Sequence, residues 1–135
     1  MNRFYSGTIF LFLWLLNFNL PQAQTLTETA KQALQNGHHE QAVLQWQSVL
    51  ATTQDVNLRL EAWFAIARAQ RWLGAYRPAL ETLQTALPIA QQTNHAVYHA
   101  LLLNELSKLH FSQGESGYEQ AMEQGEQAVS LAREA

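Results

Sequence analysis

His95 and His99 stand four residues apart, a spacing that sets two imidazoles on one helix face and can hold zinc. No neighbouring carboxylate or cysteine completes such a site, so an exposed or half-packed histidine pair is the better reading. His38 and His39 fall in a turn, and His110 falls on a face expected to pack inside as a satisfied core histidine. Ser48, Ser107, Ser112, Ser116 and Ser130 have no paired base. The chain contains no glycine-rich phosphate loop, no nucleophile elbow and no His-Glu-x-x-His pair. Glu119, Glu123 and Glu126 form a solvated helical face. These residues predict a protein that is not an enzyme, with no catalytic residue, no metal site and no cofactor.

The composition agrees. The chain has 135 residues, enough for one domain, and is 47% hydrophobic and 14% charged, which suits a folded helical protein. A net charge of −3 argues against nucleic acid as a partner. The absence of cysteine excludes disulfides, thiol catalysis and a cysteine-anchored lipid. Residues 1–23 read as a secretory signal peptide: Arg3, then the apolar run from Ile9 to Leu16, then Pro21-Gln-Ala23 with a small residue for cleavage. The run is short for a span, which takes about 20 apolar residues. Export to a bacterial periplasm, or secretion, is therefore expected. An uncleaved segment anchoring the protein to the membrane is the alternative. Cleavage would remove Arg3 and no acid, leaving seven basic against eleven acidic residues, a charge of −4.

Residues 24–135 are read as one domain of three unequal copies, at about 25–54, 58–93 and 95–135. Ala42, Ala79 and Ala121 occupy equivalent places, each followed seven residues on by Val49, Ala86 or Ala128. Seven residues are two helical turns, so each pair lies on one face and lets a neighbouring helix approach. A turn precedes each pair: Asn36-Gly37, Leu73-Gly74 and Gln113-Gly114. First helices are expected at about Leu26–Gln35, Leu58–Leu73 and His95–Gln113, with Asn94 capping the third. Second helices are expected at about His39–Thr52, Arg77–Thr93 and Tyr118–Glu134. Pro78 suits a first turn, whereas Pro88 should kink its helix.

The pattern resembles the tetratricopeptide repeat (TPR). The resemblance rests on Trp63 and Ile66-Ala67 in a first helix, Leu73-Gly74 and Tyr76 at its turn, and Ala79, Leu83 and Ala86 in the second helix. The phrase from Ala86 to Gln92 resembles the longer, roughly 40-residue variety of large bacterial multi-repeat proteins. The resemblance implies an all-α fold, a right-handed superhelical stack of three helix-turn-helix repeats after the signal peptide. Two departures stand in copy three: extra residues Glu115-Ser116 in the turn, and Gly125 where the family carries a bulky side chain.

In such a stack the inner surface is lined by the first helices. Lys31, Arg68 and Lys108 project there from equivalent places, and Arg71 lies one turn after Arg68. Phe64, Trp72 and Phe111 share that face. Cations interleaved with aromatics suit an extended acidic peptide. The competing reading is a merely solvated face, partly neutralised by Glu61 and Glu105, with the aromatics in the core. The implied function is a scaffold that binds a protein or peptide in its concave groove. The alternative is a structural or self-assembly element, homo-oligomeric through an uncapped last helix, or the front of a larger multi-repeat protein with an effector domain.

Overall fold

The computed structural model describes residues 24–135, and the signal-peptide expectation lies outside them. The described residues are all-α, in six helices with no strand. Helix α1 covers 24–35. It is followed by α2 (His39–Thr52), α3 (Val56–Trp72), α4 (Tyr76–Gln92), α5 (Ala96–Phe111) and α6 (Tyr118–Glu134), with a 3-10 turn at Glu115–Gly117. Each helix packs on the next in the chain, and α3 also touches α5.

Local chemistry sets the boundaries. Gly37 and Gly74 take positive φ values of 76° and 72°, which a side chain would strain. At each, two backbone bonds close the helix end: the His38 N–H donates to the Ala33 carbonyl and Gly37 to Leu34, and Ala75 donates to Gln70 and Gly74 to Arg71. Asn94 does the same at the end of α4, with φ 54°, while His95 donates to Ala90. Asn94 is therefore a helix-ending residue and not the expected cap of α5. Its short amide side chain tolerates the left-handed conformation that ends helices. The cap that does form is at Asp55, whose carboxylate accepts the Leu58 N–H at 2.8 Å and starts α3 two residues before the expected Leu58. Helix α4 continues through Pro88 to Gln92, with Pro88 on its exposed side.

Two apolar clusters share α3. Ala30, Ala33, Ala42, Trp46, Val49 and Ile66 join α1, α2 and α3, and Trp46 is the largest fully buried side chain. Leu60, Trp63, Leu83, Leu102, Leu106 and Leu109 join α3, α4 and α5. All six small or branched residues of the second-helix repeat pattern, from Ala42 to Ala128, are buried. Alanine faces allow the close helix approach on which both clusters depend.

Helix α6 lies along α5, where the Ser107 hydroxyl donates to the Ala121 carbonyl at 2.6 Å. A methyl group at Gly125 would stand 3.4 Å from that hydroxyl, an ordinary contact. Gly125→Ala should therefore stabilise the protein by up to about 1 kcal/mol, because mid-helix glycine costs that much relative to alanine. The midpoint of urea unfolding checks this, and an unchanged or lower midpoint would count against it.

Candidate functional site

The first helices α1, α3 and α5 are tied by two ionic contacts. Lys31 Nζ lies 3.0 Å from Glu61 Oε1, joining α1 to α3. Arg71 Nε donates to Glu105 Oε2 at 2.9 Å, joining α3 to α5, and Lys108 Nζ reaches Glu105 Oε1 at 2.9 Å. Glu105 is the only buried charged residue among the described residues. A carboxylate so far from water needs partners on both oxygens, and these two cations supply them. Arg68 is exposed and forms no ion pair among the described residues.

The four cations thus lie near one another, as their spacing suggested, but Glu61 and Glu105 hold three of them. Four positive against two negative charges leave the face net positive within a protein of net charge −3. Tyr98 lies within the field of Glu61, and burial followed by that negative charge raises its phenol above the usual range.

Two hollows take up six of the seven candidate residues. One, about 360 Å³, is walled by Lys31, Leu34, Trp46, Glu61, Phe64 and Arg68. The other, about 680 Å³, is walled by Arg71, Lys108, Phe111, Tyr118 and Met122. Phe64 is half-buried against the core, so it serves both packing and the first hollow. Phe111 is 63% exposed, with its ring centroid 5.1 Å from that of Tyr118. Trp72 lines neither hollow. It stacks on His39 at 5.9 Å with the rings nearly parallel, and the Arg71 guanidinium lies 5.1 Å from its ring centroid. Tyr118 and Trp46 were not expected at this face. Tyr118 is seven residues past Phe111 but returns beside it because the 3-10 turn reverses the chain.

The histidines do not converge. His95 precedes α5 and meets Tyr98 edge-on, while burial pushes the His99 imidazole below its ordinary range. His110 is half-buried near the end of α5, and its Nδ1 meets no hydrogen-bonding group among the described residues. Among the described residues no three histidine, aspartate or glutamate side chains gather as metal ligands. None of the described helices is long and apolar enough to cross a membrane.

No family model, curated protein or solved structure matches the chain. The face offers one unpaired guanidinium, three cations in ionic contacts, and aromatic surface in two hollows.

Proposed function

We propose that the chain is an exported TPR-type interaction module, a right-handed superhelical stack that binds an acidic peptide along α1, α3 and α5. Residues 1–23 act as its signal peptide, and its role is binding rather than catalysis. The observation that carries this reading is Arg68. It stands exposed and unpaired between the Lys31–Glu61 pair and the Arg71–Glu105–Lys108 group, flanked by Phe64. Lys31 and Lys108 sit at the same repeat position, so an extended chain crossing the three helices meets a cation at each. The Lys31–Glu61 pair is partly exposed and exchanges partners at small cost, so an incoming carboxylate can take Lys31, while half-exposed Lys108 can meet a second carboxylate without leaving Glu105.

A labelled peptide alternating glutamate with leucine and phenylalanine, titrated with the full chain, tests the reading. Arg68→Glu should weaken binding about tenfold or more, Lys108→Gln should weaken it less, and added salt should weaken it further. Arg68 touches no core residue through an ionic contact, so its helix should remain intact by circular dichroism. Equal affinity of wild type and Arg68→Glu would overturn the proposal.

A further inference from the structure

Helices α5 and α6 carry an apolar groove of about 450 Å³, lined by Val97, Ala100, Leu101, Gly125, Ala128 and Val129 and by none of the seven candidate residues. Val97 and Val129 are 60% and 51% exposed. An adjoining hollow on α6 adds Met122, 68% exposed, with Glu126, Arg133 and Glu134 at its edge. Patches of this kind on a folded protein mark contact surfaces.

The groove continues an interface already present in the fold. By the repeat spacing, Ala100 stands one copy on from Leu60, and Gly125, Ala128, Val129 and Ala132 stand one copy on from Leu83, Ala86, Leu87 and Ala90. Those earlier residues form the cluster that receives α5 through Leu102, Leu106 and Leu109. The α5–α6 groove therefore has the register to receive a helix. It is also hollowed out, since Leu60 is replaced by Ala100 and Leu83 by Gly125. A helix seated there must bring larger side chains than α5 does.

Charge selects the occupant. Helix α6 carries Glu119, Glu123, Glu126 and Glu134 against Arg133 alone, and the α5 wall has no charged residue. A second copy docking by its own α6 would set this acidic helix against itself. A second copy docking by α1 would offer Thr25, Thr29 and Gln32, all exposed and polar, at the places of Leu102, Leu106 and Leu109. We infer that the α5–α6 groove docks an amphipathic helix of a partner protein, one with bulky apolar residues along one face and lysine or arginine beside them. Its apolar face fills the groove and its cations meet Glu126 and Glu134.

Two labelled helical peptides of about 18 residues test this, each with leucine and phenylalanine at i, i+3, i+4 and i+7, one flanked by lysine and the other by glutamate. Fluorescence anisotropy against the full chain carrying Arg68→Gln, which weakens the cationic face for the glutamate peptide, should show the lysine peptide binding at least about tenfold more tightly. Val129→Asn should abolish that binding with little change in the melting curve, and Glu126→Lys with Glu134→Lys should erase the preference between peptides. Equal binding of both peptides, no binding of either, or unchanged binding by Val129→Asn would each overturn the inference. So would light scattering that shows a dimer of the full chain dissolved by Val129→Asn, which would assign the groove to a second copy.

Discussion

Gly117→Ala should cost about 3 kcal/mol of stability, the upper range for forcing an added carbon into a packed site. Gly117 is buried where the 3-10 turn meets the end of α5, and its φ of −102° is open to any residue. The cost is one of space. A methyl group there would overlap the backbone carbonyl of His110, and no flexible side chain is present to move aside. The turn would have to shift, and with it the start of α6. The Gly117 N–H bond to the Gly114 carbonyl, 2.9 Å, would be strained in the same movement. Urea unfolding followed by far-ultraviolet circular dichroism should show a clear fall in midpoint, and limited proteolysis should cut first at 113–121. A variant as stable as wild type would mean that the turn does not hold α6 as described.

Glu105→Ala should cost about 2 kcal/mol, less than the 3–5 kcal/mol typical of breaking a fully buried ion pair. The discount follows from exposure. The Lys108 side chain is 47% exposed and returns to water easily, whereas that of Arg71, at 18%, stays largely enclosed without its anion. Most of the loss therefore resides with Arg71, and a double-mutant cycle with Arg71→Ala should recover it. Glu105→Gln keeps the shape and one acceptor for the Arg71 N–H, so its cost should be smaller. Both variants release cations on the face, so the affinity for an acidic peptide should rise as the stability falls. Stability and affinity that fall together would show that Glu105 builds the binding surface rather than restraining it.

Much of the helical order was legible in the chain. The bounds of α2 and α6 follow from the repeat, because Ala42–Val49 and Ala121–Ala128 mark both the buried face and the helix that carries it. The turns at Gly37 and Gly74 were legible because glycine is the default residue at positive φ. Asn94 misled because asparagine favours both ends of a helix, and only the backbone of α4 decides between them. The start of α3 was placed too late because Asp55 caps from outside the repeated pattern.

The placement of the cations was legible in the sequence, but their ionic state was not. Helical spacing places Lys31, Arg68 and Lys108 on one side. That Glu105 is buried and holds Arg71, 34 residues away, depends on how α3 and α5 are set against each other. Periodicity within a helix does not carry that information. Trp72 shows the same limit, since its exposed ring is drawn to His39 across the start of α2 rather than along its own helix face.

Helix α3 contributes to both apolar clusters, with Ala62 and Ile66 on one side and Leu60 and Trp63 on the other. Neither cluster can come apart without removing a wall of the other, so the first five helices are expected to melt in a single cooperative step. Every large contact also joins near neighbours in the chain. Little loop entropy is therefore lost before contacts form, and folding should be rapid. It should spread outward from α3 in both directions, with α6, whose main contacts among the described residues are with α5 and the 3-10 turn, the last helix to settle.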